Sequence, residues 1–426
     1  MSEQWSKPVA DRLKRLPPYL FGRINAMKYR KRREGVDIID LGMGNPSDPT
    51  PEVIVRKLQE CSSDPRNQRY SASAGIFNLK REVARMYRRV HDVELDPENE
   101  VIATIGSKEG FSHLCLALMG PGDTAIVGDP YFPIHVYSVA LAGANVINVT
   151  LGNDHGFLSR VAGVIENMYP RPKVLVLNYP HNPTAMTVDS PAFFDEVVRM
   201  AAKEGVMVIH DFAYGRTCFD SYRAPSFMQA RGARDVGVEF ITLSKPFNMA
   251  GWRVGFCVGN AEMIRALATI KGYYDYGIFQ AVQIAGIIAL RECDSEVVSQ
   301  AELYRDRRDV VVQGLRKMGW SVESPRASMF VWARVAEEHL RGRGTIDFSL
   351  RMLDEAEVAL APGRAFGLNG EGYVRIALVE NRQRLQQAVR NLDRALNKGI
   401  IAPSATKLKT RSGAGQAVDT PSPEEQ

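Results

Sequence analysis

The chain has 426 residues, 45% of them apolar and 24% charged, and its 54 lysines and arginines against 49 aspartates and glutamates leave a net charge of +5. That length holds two domains and a large core, and so ordinary a balance speaks against a disordered or membrane-inserted body. The N-terminus lacks the apolar centre of a secretory signal and no stretch reaches the apolar length of a membrane span, so the cytoplasm is expected.

In chain order, the first feature is the basic run Lys28-Tyr29-Arg30-Lys31-Arg32-Arg33. With Ile24, Met27 and Tyr29 among the charges it reads as the solvated face of an N-terminal helix, and no nucleic-acid module accompanies it. Gly42-Met43-Gly44 leads into Asn45-Pro46 and not into a helix, so it is not the phosphate turn of a nicotinamide enzyme. Val101 to Ile105 reads as a strand meeting Gly106-Ser107-Lys108-Glu109-Gly110 and a helix over Phe111 to Met119, whose N-terminus offers free N–H groups to a phosphate. A further strand, Ala125 to Val127, leads to Asp129-Pro130-Tyr131, where a tyrosine ring can lie on a flat ligand.

Val174 to Asn178 is an apolar strand ending in Tyr179-Pro180-His181-Asn182-Pro183-Thr184, a turn that its prolines hold irregular and that displays Asn182. Val206 to Asp211 is another, finishing on a carboxylate with Tyr214 three residues on. Phe240 to Leu243 leads into Ser244 and Lys245, and Arg253 follows eight residues later within Gly251-Trp252-Arg253-Val254-Gly255. Ligands of parallel α/β sheets sit outside the carboxyl ends of the strands, so Asn182, Asp211 and Lys245 are expected to converge. A buried lysine loses its proton readily enough to bond an aldehyde cofactor, an arginine beside it grips a phosphate, and a carboxylate keeps a pyridine nitrogen protonated.

A long charged helix is expected over Asp294 to Met318, then strands over Met329 to Val335, Val358 to Ala361 and Tyr373 to Val379. Arg375 stands on the last of these, where a guanidinium needs either a structural ion pair or a ligand carboxylate. Strands alternating with helices from about Arg56 to Cys293 predict a mostly parallel sheet covered on both faces. The divisions expected are 1–55 as an arm and part of the small domain, 56–293 as the large domain and 294–397 as the small domain. Residues 398–426, rich in Pro, Ser, Thr, Gly and Gln, are expected to form a disordered tail.

The motifs Asn182-Pro183-Thr184, His210-Asp211-Phe212-Ala213-Tyr214, Ser244-Lys245 with Gly251 to Gly255, and Tyr373-Val374-Arg375-Ile376-Ala377 resemble those of class I/II aminotransferases of the pyridoxal-phosphate fold type I superfamily. The likeness runs from about Leu16 to about Leu396. It implies an α/β fold with a mostly parallel seven-stranded sheet and a smaller α/β domain. It implies pyridoxal 5'-phosphate as cofactor, Lys245 as the residue that bonds it and moves the substrate proton, Asp211 as partner of its ring nitrogen, and Asn182 and Tyr214 as ligands of its ring oxygen. By the same likeness Ser107, Lys108 through its backbone, Ser244 and Arg253 hold the phosphate, and Tyr131 stacks on the ring. Tyr70 completes the phosphate site of a neighbouring subunit in a homodimer. Arg375 takes the substrate carboxylate, with Asn182, Gly44 and Asn45 near the substrate.

Several stretches, among them Leu16-Pro17-Pro18-Tyr19-Leu20-Phe21 and Arg375 to Arg382, look most like bacterial glutamate–pyruvate aminotransferases. LL-diaminopimelate aminotransferases share that start and Gly277-Ile278-Phe279-Gln280-Ala281. Pro246 departs from the serine or threonine expected after the lysine. A non-catalytic sensor on this fold would usually carry an added DNA-binding domain, for which no room precedes Leu16, and would have little need of Lys245. The five cysteines are scattered with no Cys-x-x-Cys pair, so reduced thiols and no zinc site are expected. His210 next to Asp211 points to the opposite strand face and is a poor chelate, and His181 is expected to shape its turn.

Overall fold

The computed structural model of the chain describes residues 10–17 and 20–398. Pro18 and Tyr19 of the Pro-Pro-Tyr motif and residues 399–426 of the expected tail lie outside the described residues. Among the described residues twelve strands form: β1 (Ile39–Asp40), β2 (Val101–Thr104), β3 (Thr124–Asp129), β4 (Asn145–Thr150), β5 (Val174–Asn178), β6 (Met207–Asp211), β7 (Gly237–Thr242), β8 (Gly255–Gly259), β9 (Phe330–Arg334), β10 (Val358–Ala359), β11 (Ala361–Pro362) and β12 (Tyr373–Ala377).

Seven of them make one sheet in the order β2-β8-β7-β6-β5-β3-β4. All its pairings are parallel except those of β8, which runs against both β2 and β7. The strands were legible because both faces are covered, which demands apolar residues at every position. Alternate residues enter opposite cores: Leu175, Leu177, Val208, Ile241 and Phe256 pack on one face. Val174, Val176, Ile209, Val238, Phe240 and Cys257 pack on the other. Each such side chain, fully buried, contributes roughly 1.5–3 kcal/mol.

The chain leaves this sheet through the helix Gln280–Glu292, turns at Cys293 and continues as the helix Asp294–Lys317, one residue short of the expected end. A second sheet, β11-β12-β9, is antiparallel, and β1 pairs with β10. Met329, Phe330, Val331, Val358, Val374 and Ile376 share its core. The helix Arg382–Lys398 carries order to the first residue of the expected tail.

The basic run lies on a helix, Leu20–Arg33, with Tyr29, Arg30, Arg32 and Arg33 exposed as a solvated face requires, but Lys28 is buried and bonds Asp40 at 2.7 Å. A lysine with a carboxylate in reach can turn inward where a phenol finds no pocket. The strand before Lys245 ends sooner than its apolar run. β7 stops at Thr242, and the turn through Lys245 is held by the Ser244 N–H donating to the Thr242 hydroxyl at 3.1 Å.

His210 is a core residue, as expected. On β6 it faces Glu239 of β7, with Nδ1 2.8 Å from the Glu239 carboxylate, which also accepts from the Tyr87 and Ser226 hydroxyls at 2.6 Å and the Phe227 N–H at 2.8 Å. Burial alone would push the Glu239 carboxyl up, but its bonds from His210, Ser226 and Tyr87 outweigh burial and hold it below the usual range. Glu239→Ala strands four donors in the core and is expected to cost about 3 kcal/mol or more. Urea denaturation measures this, and an unchanged midpoint would show that the network contributes nothing.

Candidate active site

Six strands of the large sheet point their carboxyl ends to one edge, and β8, running the other way, begins there. The edge therefore collects Ile105 to Ser107 after β2, Tyr131 after β3, the turn from Tyr179 to Thr184 after β5, Asp211 at the end of β6, Ser244 and Lys245 after β7, and Arg253 just before β8. Peptide bonds Tyr179–Pro180 and Asn182–Pro183 are both cis.

Lys245 Nζ donates to the Gly44 carbonyl at 2.9 Å and stands 5.9 Å from the centre of the Tyr214 ring. Burial, with the charges of Arg375 and Arg253, lowers its pKa to about 8 against the opposing pull of Asp211. Asp211, buried, has Oδ2 2.9 Å from His135 Nε2, and its Oδ1 accepts from the Ala213 N–H at 3.2 Å. Tyr214 is buried edge-on against Phe330, and burial pushes its phenol up.

Asn182 is held by Asn178, whose Oδ1 accepts the Asn182 N–H at 2.9 Å and whose amide donates to the Asp211 carbonyl at 2.7 Å. Arg375, 5% exposed, donates to Asn182 Oδ1 at 2.8 Å and to the Gly42 carbonyl at 2.9 Å. Its guanidinium lies 4.1 Å from the Phe330 ring and 4.7 Å from Phe366. Burial lowers it to about 10, its buried Nε has no hydrogen-bond partner, and no carboxylate pairs with it among the described residues. The structural ion pair is thus not present.

After β2 the helix Ser107–Leu118 starts at Gly106 without a side-chain cap. Arg253, exposed, donates to the Ala250 carbonyl at 2.8 Å and lies directly over Gly106, where a Cβ would sit 2.1 Å from its Nη2. Gly106 also has φ +79°, so glycine answers both demands. Ser107 donates its hydroxyl to the Ile241 carbonyl at 2.9 Å, and the Ser244 hydroxyl accepts from Thr242 at 2.9 Å. Lys108 is exposed, leaving only its backbone at the turn.

Half-buried Tyr131 is fixed through its N–H to the Phe366 carbonyl at 2.7 Å, and burial pushes its phenol up to about 12. Exposed Asn45 follows Gly44 and makes no hydrogen bond among the described residues. Tyr70 stands apart, 85% exposed, with its ring 4.6 Å from that of Tyr276.

Sequence reasoning missed His135, Asn178 and the two phenylalanines around Arg375. Asn178 was signalled by a polar residue closing an apolar strand, whereas nothing local marks His135. His181 shapes its turn through Thr184 Oγ1 at 2.8 Å, and burial lowers its pKa to about 3. Glu109, His113 and Asp275 approach one another closely enough to suggest a metal, but the Lys271 amine already sits against both carboxylates, at 3.3 and 2.9 Å.

These residues fit a flat, anionic aldehyde cofactor. Lys245, Arg253 and Arg375 place three cations near one carboxylate, beside an uncapped helix N-terminus and a guanidinium Nε with nothing to bond. Fold and site define a pyridoxal-phosphate enzyme. Residues 36–392 match the family model "Aminotransferase class I and II", and the chain belongs to that family.

It is 46% identical to a glutamate–pyruvate aminotransferase of Escherichia coli, over 93% of this chain and 96% of that one. It is 43% identical to an LL-diaminopimelate aminotransferase of Moorella thermoacetica, over 91% and 98%. Among solved structures, substrate-bound BacF from Bacillus subtilis superposes with a TM-score of 0.84 at 32% identity, covering 91% of this chain and 98% of that one. An aspartate aminotransferase mutant from Thermus thermophilus gives 0.83 at 26%, covering 91% and 100%. The chain is an aminotransferase with pyridoxal 5'-phosphate as its cofactor, and not a nicotinamide enzyme or a sensor.

An aldehyde bonds only the neutral form of an amine, so with Lys245 as the bonding residue the rate at which apoprotein is reconstituted is expected to rise with pH to about 8 and then level off. Stopped-flow absorbance measures it. A rate still climbing through pH 10 would mean an amine of ordinary basicity.

Proposed function

We propose that the chain carries out transamination between L-alanine and 2-oxoglutarate, giving pyruvate and L-glutamate, with Lys245 as its catalytic residue. The observation that carries the chemistry is the Lys245 amine, held by Gly44 with its pKa lowered to about 8, facing the Tyr214 ring and within the field of Asp211.

Bound at this edge, pyridoxal phosphate supplies an aldehyde that takes up the amino group and a protonated pyridine that draws electrons from the substrate α-carbon. Asp211 holds that ring proton, and His135 behind it fixes the carboxylate's orientation. Asn182 and Tyr214 would bond the ring oxygen, and Tyr131 would cover the ring. The N–H groups of Ser107 and Lys108, the Ser244 hydroxyl and Arg253 would hold the phosphate. Arg375 has two donors already engaged and Nε to spare, and its fork takes the substrate α-carboxylate, with Asn182, Gly44 and Asn45 beside it. So oriented, the α-proton would face Lys245, whose Nζ would take it from the substrate carbon and deliver it to the carbon that carried the aldehyde, leaving the amino group on the cofactor.

A homodimer completes the site. Tyr70, Tyr273, Tyr274 and Tyr276 are all at least 65% exposed, an aromatic surface that a monomer rarely leaves in water and that would carry Tyr70 to the partner's phosphate. The large domain spans 56–293 and the small one 294–397, with the arm before residue 56. No helix among the described residues is long and apolar enough to cross a membrane, which supports the cytoplasmic assignment.

Alanine specificity rests on the 46% identity to the glutamate–pyruvate enzyme and on the matching stretches in the sequence. A second reading, LL-diaminopimelate transamination, is favoured by identities of 43% and 42% to enzymes so named. Mixing cofactor-loaded protein with one amino acid at a time and following the cofactor's visible absorbance separates the two. Conversion by alanine and glutamate is expected, with Lys245→Ala inert, whereas conversion by LL-diaminopimelate in their place would move the enzyme to the second reading.

A further inference from the structure

Lys271 is a fully buried cation that the proposed chemistry does not use. It lies on the helix Ala261–Tyr274, and its Nζ bridges two carboxylates: Asp275 Oδ2 at 2.9 Å and Glu109 Oε1 at 3.3 Å. Each carboxylate spends its other oxygen on a different part of the site. Glu109 Oε2 accepts the Ile105 N–H at 2.9 Å and so fixes the turn that delivers Gly106 and Ser107. Asp275 Oδ1 accepts the Ser73 hydroxyl at 3.2 Å and the Gly277 N–H at 2.6 Å.

Ser73 belongs to the segment that bears Tyr70, and Tyr276, which lies between Asp275 and Gly277, meets the Tyr70 ring. The packing there is direct. A Cβ on Gly277, whose φ is +79°, would lie 2.6 Å from the Ala72 carbonyl oxygen. His113 closes the cluster, stacked on Tyr274 with Nδ1 2.6 Å from Glu109.

We propose that Lys271 is a positioning residue that ties together the two halves of the phosphate cup, the turn at Ser107 that the subunit keeps and the Tyr70 segment that it lends to its partner. The inference rests on the reading of Tyr70 given above. A buried ammonium between two carboxylates is rigid, because breaking either ion pair would leave an uncompensated charge in a medium of low dielectric. Gln283 anchors the same segment independently, through Ser71 Oγ at 2.7 Å and the Ile76 N–H at 2.8 Å, so removing the Lys271 amine shifts the segment without releasing it.

The test is a double-mutant cycle on cofactor affinity, with pyridoxal phosphate titrated into apoprotein and binding read by absorbance. Lys271→Met and Tyr70→Phe are each expected to weaken binding about tenfold, and the double variant to bind no more than about threefold more weakly than either, because both act on the same phosphate contacts. Effects that multiply, or an affinity unchanged in folded Lys271→Met protein, would overturn the proposal and leave Lys271 a stability residue. Unchanged affinity in Tyr70→Phe alone would overturn the reading of Tyr70 and this inference with it. Should Lys271→Met fail to fold by circular dichroism, Ser73→Ala removes only one donor to Asp275. It is expected to weaken binding about twofold, and no change there would overturn the proposal equally.

Discussion

Excess positive charge in a partly dry pocket is the constraint on which the rest of this structure depends. Burial, with the charges of Arg375 and Arg253 acting against the opposing carboxylate of Asp211, makes Lys245 give up basicity. A buried guanidinium whose hydrogen bonds, among the described residues, go to a neutral amide oxygen and a carbonyl and to no carboxylate is costly. Such a site becomes electrostatically comfortable only when anions enter, and a phosphate and a carboxylate are what an amino acid bound to this cofactor brings. The burial and neighbouring charge that take basicity from the lysine also keep its amine available as a nucleophile.

Holding those charges at fixed distances takes a scaffold that does not yield. The large sheet provides it, since each strand is packed on both faces and the Glu239–His210 pair locks β6 to β7 beneath the site. Reversal of β8 matters as much: because β8 starts at the edge where β7 ends, the chain stays at that edge through the connecting turn, and Lys245 and Arg253, eight residues apart, share the site. The segment after β1 reaches over from the other side. There the Leu41 carbonyl bonds the Ala377 N–H, and Gly42 and Gly44 present their carbonyls to Arg375 and Lys245.

Much of this was legible in the sequence, for a physical reason. Strands buried on both faces must be apolar throughout, so the polar residue that ends each run, such as Asp211 or Asn178, marks a place where the chain meets a ligand or another loop. Arg375 stood out because a guanidinium inside an apolar strand has no local explanation. Illegible were contacts between residues far apart in the chain. His135 behind Asp211, Phe330 and Phe366 around Arg375, and Lys271 between Glu109 and Asp275 carry no mark in their own neighbourhoods. Lys28 was misread for a like reason, since the carboxylate that lets it turn inward lies on β1 and not on its own helix.

We propose Lys245 as the residue that bonds the cofactor, and borohydride reduction of cofactor-loaded protein, followed by peptide mass spectrometry, tests this most directly. A phosphopyridoxyl group is expected on Lys245 and on no other lysine. The group on Lys108, Lys271 or another lysine, or its absence from a protein that has bound the cofactor, would contradict it.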